Sequence, residues 1–244
     1  MRRFGLLGKD ISYSFSRNYF GNKFEKEAIT DASYENFDLE QITLFPEILK
    51  QEHLAGLNVT IPYKEAVIPF LDKLSKTAKK IGAVNTIKFT KSGKTKGYNT
   101  DYYGFKKSLK PFLKPHHKRA LILGTGGASK AIAFVFKQLD IEYAYVSRKP
   151  NKQIAFTYNS LTPEIISEHS IIVNCTPLGT HPNITDCPDI PYTGITSKHI
   201  LFDLIYNPSE TQFLKHGKSR NCKTINGLRM LELQAEKAWE IWNK

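Results

Sequence analysis

The stretch Ala120-Leu-Ile-Leu-Gly124-Thr-Gly-Gly-Ala-Ser129-Lys130-Ala-Ile-Ala-Phe-Val135-Phe-Lys-Gln-Leu139 decides the fold. Ala120 to Leu123 is a short apolar run without alternation, as in a strand covered on both faces. Lys130 to Leu139 sets Ile132, Val135, Phe136 and Leu139 on one helical face, and Tyr143 to Val146 reads as the next strand. Strand, glycine turn, helix, strand is a βαβ unit, the opening of a doubly wound parallel sheet. In such a turn the first glycine, Gly124, makes the bend. The second, Gly126, lets backbone approach a pyrophosphate. The third position serves close helix–strand packing and here holds Ser129, a departure from the strict fingerprint. The first turn of the helix offers unpaired N–H groups to a phosphate; the plainer alternative is a glycine-rich turn with no ligand. An acid that would bind the ribose of NAD is expected about 20 residues on. The chain instead reads Val146-Ser147-Arg148-Lys149. Arg148 and Lys149, with Ser147 beside them, suit a 2′-phosphate, which favours NADP. Two ordinary surface cations would read the same way.

Later strands are expected at Ile171–Asn174 and Ile200–Leu204, and a final helix at Leu228–Trp242 with Leu228, Leu231, Ala235, Ala238 and Trp242 on one stripe. Upstream, residues 2–8 read as a strand, Asn18 to Ile29 as a helix with Phe20, Phe24 and Ala28 four apart, and Tyr34 to Leu39 as a strand. A short helix begins at Pro46, and Leu57 to Ile61 alternates as a strand ended by Pro62. Helix is expected over Lys64 to Leu71, and strands over Ala83 to Phe89 and Thr95 to Tyr98, joined by a turn at 91–94. Tyr102 to Phe112 reads as helix.

Composition narrows the class. The 244 residues carry 35 Lys plus Arg against 23 Asp plus Glu, a net charge of +12. With 41% hydrophobic and 24% charged residues the chain is globular rather than disordered. No apolar run approaches the ~20 residues of a membrane span. Met1-Arg2-Arg3-Phe4-Gly5 leads straight into a strand, so no signal peptide and a cytoplasmic location are expected. Cys175, Cys187 and Cys222 form no Cys-x-x-Cys pair. The seven histidines lack metal-ligand spacing, so no metal is expected. The positive charge fits a nucleic acid, an anionic substrate or a solvated surface. The lysines are dispersed, which favours the last.

Polar residues cluster at the ends of the upstream strands. Asn58, Thr60 and Lys64 lie in Asn-Val-Thr-Ile-Pro-Tyr-Lys, Asn85 in Gly-Ala-Val-Asn-Thr, and Asp101 in Gly-Tyr-Asn-Thr-Asp; Ser14 and Ser16 follow the first strand. Hydroxyls, amides, a lysine and a carboxylate suit a small polyhydroxylated acid. A lysine oriented by an aspartate can donate a proton to a developing alkoxide. Singly, each residue reads equally well as a cap, a turn or a surface ion pair.

Taken in order, Ser14-Phe-Ser16, Asn58 to Lys64, Gly82-Ala-Val-Asn85-Thr, Gly97 to Asp101, Gly124 to Ala128, Asn174-Cys-Thr-Pro-Leu-Gly179, Asp203-Leu-Ile-Tyr206-Asn-Pro and Asn226-Gly227-Leu-Arg-Met230-Leu with Gln234 resemble the shikimate dehydrogenase family over almost the whole chain. The resemblance implies an α/β fold in two parts with a cleft between them. Residues 1–101 plus 228–244 would form a mixed-sheet substrate-binding and catalytic domain, and 102–227 a Rossmann-like NADP domain. It implies NADPH-dependent, reversible reduction of 3-dehydroshikimate to shikimate in aromatic amino-acid biosynthesis. Lys64 and Asp101 then look like the catalytic pair, and Ser14, Ser16, Asn58, Thr60, Asn85, Tyr206 and Gln234 like substrate contacts. Gly124, Gly126, Gly127, Ala128, Ser147, Arg148, Lys149, Asn174, Thr176, Leu204, Gly227 and Met230 would line the cofactor, Met230 near the nicotinamide. The expected state is a monomer or homodimer, with neither nucleic acid nor membrane as partner.

Three places depart from the family pattern. Arg17, Phe20 and Gly21 replace a proline and a His-Asn pair after the second serine, which touches substrate fit. The segment from Pro150 to Leu161 is too short for the family's helix, and Thr180 replaces a methionine; both touch cofactor affinity. Alternatives are a quinate/shikimate dehydrogenase of broader substrate or NAD use, a non-catalytic binder on the same fold, and a basic nucleic-acid-binding protein.

Overall fold

The computed structural model describes residues 1–12, 14–90, 92–149 and 155–244. The chain divides into two units, Met1–Thr100 with Ala235–Lys244, and Asp101–Gln234.

Unit 1 runs β1 (Arg2–Gly8), α1 (Phe15–Lys26), β2 (Ala32–Asp38), α2 (Phe45–Leu49), β3 (Leu54–Val59), α3 (Tyr63–Ala66), β4 (Lys73–Leu74), α4 (Lys76–Ile81), β5 (Thr86–Phe89) and β6 (Thr95–Tyr98). The strands form one mixed sheet in the order β2-β1-β3-β5-β6-β4. β1 is parallel to β2 and β3, and β5 is antiparallel to β3 and β6. Alternation along β1 feeds two cores. Phe4 and Leu6 join Phe20, Phe24, Ala238 and Trp242 in one cluster, whereas Leu7 joins Phe45, Leu57, Val67 and Ile87 in the other.

Several expected elements shift for identifiable reasons. The first helix spans Phe15–Lys26 rather than 18–29, because Ala28 takes a left-handed φ of 53° and cannot continue it. Helix over 64–71 shrinks to α3 followed by a 3-10 turn at Ile68–Phe70, where Pro69 lacks the N–H a longer helix needs. The strand expected from Ala83 begins at Thr86, since the Val84 N–H goes to the Lys64 carbonyl (2.7 Å). α4 was not expected. Its signals are Ser75, whose hydroxyl accepts from the Ala78 N–H (3.1 Å), and Gly82, left-handed at φ 74°. Of the turn at 91–94, Lys91 lies outside the described residues; Gly93 N–H bonds the Thr90 carbonyl at 2.9 Å.

Unit 2 contains α5 (Asp101–Leu109), β7 (Arg119–Leu123), α6 (Gly127–Gln138), β8 (Glu142–Ser147), β9 (Phe156–Thr157), α7 (Pro163–Glu168), β10 (Ile171–Asn174), β11 (Ile200–Asp203), α8 (Gln212–Ser219), β12 (Lys223–Ile225) and the start of α9 (Leu228–Asn243), whose residues from Ala235 onward belong to unit 1. The sheet is parallel throughout, ordered β12-β11-β10-β7-β8-β9. Both faces are covered, which explains the unalternating apolar strands. Ala120, Ile122, Ile171, Val173 and Phe202 pack toward Phe105 and Phe136; Leu121, Leu123, Ile172 and Leu201 pack toward Ile166 and Phe213. The helix expected at 102–112 is α5 plus a 3-10 turn at Lys110–Phe112, where Pro111 falls. In the shortened segment, residues 150–154 lie outside the described set, and 155–161 hold β9 and a 3-10 turn rather than an α-helix.

Candidate active site

In unit 1 the polar residues expected at strand ends form a buried network. Asn58 is the fifth residue of β3, and its Oδ1 accepts from the Tyr34 hydroxyl at 2.8 Å. Burial pushes the Tyr34 pKa up, so the phenol stays neutral and able to donate. Asn58 Nδ2 reaches the Asn85 carbonyl and Thr86 Oγ1, both at 3.4 Å. The Asn85 side chain in turn grips Thr100. Its Oδ1 accepts from the Thr100 N–H at 2.6 Å and its Nδ2 donates to Thr100 Oγ1 at 3.0 Å. Asn85 therefore fixes the backbone immediately before Asp101. Thr86 and Thr100 lie within the Asn85 and Asp101 motifs, but their part in the network shows only in the fold; Tyr34 carries no sequence signal and reaches Asn58 only because β2 and β3 flank β1.

Ser14 precedes α1, and its Oγ is buried with no hydrogen-bond partner among the described residues. Thr60 follows β3; its N–H bonds the Leu7 carbonyl (2.8 Å) and its carbonyl accepts from Tyr63 (2.9 Å). Lys64 is the second residue of α3 and is half-buried. Two bonds hold that short helix in place: the Tyr63 hydroxyl donates to the Leu39 carbonyl at 2.6 Å, and Val84 N–H to the Lys64 carbonyl.

In unit 2 the glycine turn lies at the point where the order of the sheet reverses, between β7 and β10. Gly124 is left-handed at φ 99°, and a Cβ there would sit 3.2 Å from Thr176 Cγ2, so the turn abuts the loop after β10. Gly126 is the N-cap of α6 and faces open space, with no atom within 4 Å of a Cβ placed there. No side chain caps α6, which leaves the first-turn backbone at Gly127 and Ala128 without a side-chain partner. Ser129 is fully buried and its Oγ donates back to the Gly126 carbonyl at 2.7 Å. A small side chain thus serves the packing position where the strict fingerprint has a glycine. Such a turn fits a pyrophosphate.

Ser147 ends β8 and is paired with Thr157 of β9, and Arg148 and Lys149 follow it, exposed. Asn174, fully buried at the end of β10, accepts from Thr176 Oγ1 at 2.6 Å and donates to Asp203 Oδ1 at 3.0 Å. Leu204 and Gly227 approach so closely that a Cβ on Gly227 would lie 2.1 Å from the Leu204 carbonyl oxygen. Met230 is buried in the cluster around Phe105. Gln234 is buried and donates to the Leu231 carbonyl at 3.0 Å. Tyr206 is half-buried in the turn after β11, and Asp101 is buried at the first position of α5. Among the described residues no three His, Cys, Asp or Glu side chains are placed to hold a metal, and no helix is long and apolar enough to cross a membrane.

Asp203, quoted within a motif but given no role at the sequence level, is the hub of this loop. It accepts from Asn174 Nδ2, the Ile205 N–H (3.1 Å) and Thr211 Oγ1 (2.6 Å). Burial nevertheless outweighs those donors and pushes its pKa up to about 6. The folded state then binds this proton more tightly than the unfolded state does. The stabilisation is fully present below pH ~4 and is lost as pH rises through ~6. Relative to Asp203→Asn, which keeps the shape, the wild type should lose on the order of 3 kcal/mol between pH 4 and 7. Urea midpoints of both proteins across that range would show it; parallel profiles would contradict it.

Residues 6–87 match the family model described as shikimate dehydrogenase substrate binding domain. A shikimate dehydrogenase (NADP(+)) from Methanosphaera stadtmanae is 40% identical over 256 residues, covering 98% of this chain and 90% of the relative. The crystal structure of shikimate dehydrogenase 1 from Peptoclostridium difficile aligns with a TM-score of 0.86 at 39% identity, covering 100% of this chain and 92% of that one. The Thermus thermophilus shikimate 5-dehydrogenase, solved with NADP(H) and shikimate, aligns at 0.87 and 31% identity over 99% of this chain and 93% of its own. With relatives at this identity along nearly its full length, and with the two-part α/β architecture they share, the chain belongs to the shikimate dehydrogenase family.

Proposed function

We propose that this chain catalyses the reversible, NADPH-dependent reduction of 3-dehydroshikimate to shikimate. Unit 1 serves as the substrate domain and unit 2 as the NADP domain. The observation that carries the reading is the pairing, in one chain, of a buried Tyr34–Asn58–Asn85 network with an uncapped glycine turn at the sheet's switch point. The first suits a compact polyhydroxylated acid; the second suits a dinucleotide.

When bound, the nicotinamide supplies a hydride to the ring ketone. The Lys64 ammonium delivers a proton to the oxygen as it becomes an alkoxide, and takes one back in the oxidative direction. Asp101 orients the amine. Ser14, Ser16, Asn58, Thr60, Asn85, Tyr206 and Gln234 hold the hydroxyls and carboxylate. Asn85 has a second duty, since its grip on Thr100 sets the backbone from which Asp101 starts. Gly124, Gly126, Gly127 and Ala128 receive the pyrophosphate. Asn174, Thr176, Leu204, Gly227 and Met230 line the rest of the cofactor. The setting is cytoplasmic, with a monomer or homodimer and no nucleic-acid partner.

The deciding assay crosses shikimate and quinate with NADP⁺ and NAD⁺. Turnover confined to shikimate with NADP⁺ is expected. Comparable rates with quinate or NAD⁺ would point to the broader enzyme, and no turnover from folded protein would remove the enzyme reading. Ser147, Arg148 and Lys149 select the cofactor, Arg148 most strongly. Arg148→Gln should raise the KM for NADP⁺ about 10- to 100-fold, the loss of a hydrogen bond to a charged group. Its KM for NAD⁺ should move less than about threefold, since the 2′-phosphate is absent. Equal shifts for the two cofactors would refute the assignment.

A further inference from the structure

At the β12 edge of unit 2 lies a concavity of about 390 Å³, within the size range of small-molecule sites. It shares no residue with the glycine turn or with the loop after β10. Ser108, on α5, lines it. That serine is 4% exposed, and its Oγ has no hydrogen-bond partner among the described residues. A helical serine ordinarily returns its hydroxyl to the carbonyl four residues back. A buried hydroxyl left unpaired costs on the order of 1–3 kcal/mol. The hydroxyl is therefore available to a group seated in the concavity that Ser108 lines.

The rest of the lining says what kind of group that is. The Lys223 ammonium stands 4.0 Å from the centroid of the Phe112 ring and makes no ion pair among the described residues. Arg229 adds a second cation, held by Glu232 at 3.0 Å with two-thirds of its side chain exposed. Glu210, the acid in the lining, is already engaged by Lys218 at 3.1 Å. The lining thus offers the Lys223 ammonium, the remaining N–H donors of Arg229 and an orphan hydroxyl to an anion. The walls are apolar as well: Phe112 and Ile225 give it flat hydrocarbon surface. A bare inorganic anion would leave that surface unused.

We propose that this concavity binds a small aromatic carboxylate. Its carboxylate lies between Lys223 and Arg229 and accepts from Ser108 Oγ–H, and its ring packs on Phe112 and Ile225. The site is separate from the proposed dehydrogenase chemistry and does not depend on it.

Phenylacetate titrated into the ¹⁵N-labelled full chain tests this, with inorganic phosphate at matched ionic strength as a second arm. Saturable shifts of the Thr224, Asn226 and Arg229 amides with phenylacetate are expected, and weaker ones with phosphate. Lys223→Gln and Ser108→Ala should each raise Kd about tenfold. Ser108→Ala should hold or raise the melting temperature, because it removes an unpaired buried group; this separates lost binding from lost folding. Phosphate binding as tightly as phenylacetate would reduce the feature to a simple anion site and overturn the proposal. So would unchanged affinity in both variants, shifts centred on the glycine turn, or no saturation at all.

Discussion

Lys64→Met is expected to lower kcat for shikimate oxidation by about 10³-fold, within the range for losing a positioned general acid–base. The half-buried side chain sits on a four-residue helix held by the Tyr63 and Val84 hydrogen bonds, neither of which uses the Lys64 side chain. The replacement therefore leaves the scaffold intact. Most of the loss should fall on kcat rather than KM, because the proton moves only as the alkoxide forms. Lys64→Arg restores charge but not an acid able to give up its proton, and should remain nearly as slow. NADP⁺ affinity, read by fluorescence, should be unaltered in both. A variant retaining a tenth or more of wild-type kcat would remove Lys64 from the proton path.

Trp242→Ala should cost unit 1 about 3–5 kcal/mol, as for other buried tryptophans. Trp242 is 6% exposed and packs on Phe4 and Phe20, with ring centroids 4.9 and 5.5 Å away. Its indole lies flush against Gly56, where any Cβ would come within 2.2 Å of Nε1. Nε1–H also donates to the Ile87 carbonyl at 2.9 Å. Alanine would leave both a void and an unpaired carbonyl. Trp242→Phe refills most of the volume and should recover more than half of the loss. Chemical denaturation of all three proteins checks this. A cost for alanine under about 1 kcal/mol would mean that the end of α9 is not structural.

Much of this was legible in the sequence because the controlling physics is local. β7, α6 and β8 follow from one apolar run, one glycine turn and one amphipathic stripe, and the structure sets them within a residue or three of the expected bounds. α4 carried ordinary caps in Ser75 and Gly82, but its lysines read as a solvated surface and hid it. Helix ends at Ala28 and Pro69 turned on backbone conformation and a missing donor. The hubs Tyr34 and Asp203 were not legible as such. A tyrosine in β2 becomes the partner of Asn58, and an aspartate ending β11 becomes the partner of Asn174 and Thr211, only through contacts distant in sequence.

Because residues 235–244 are the part of α9 that completes unit 1, the order of synthesis matters. A ribosome extends a chain at about 5–20 residues per second, and domains ordinarily fold as they emerge. Here the first hundred residues emerge with the Phe4–Phe20 face unroofed, and all of unit 2 is made before Trp239 and Trp242 arrive to cover it. The region synthesised first is the one finished last. Unit 1 can close its aromatic core only after the last turns of α9 have left the ribosome.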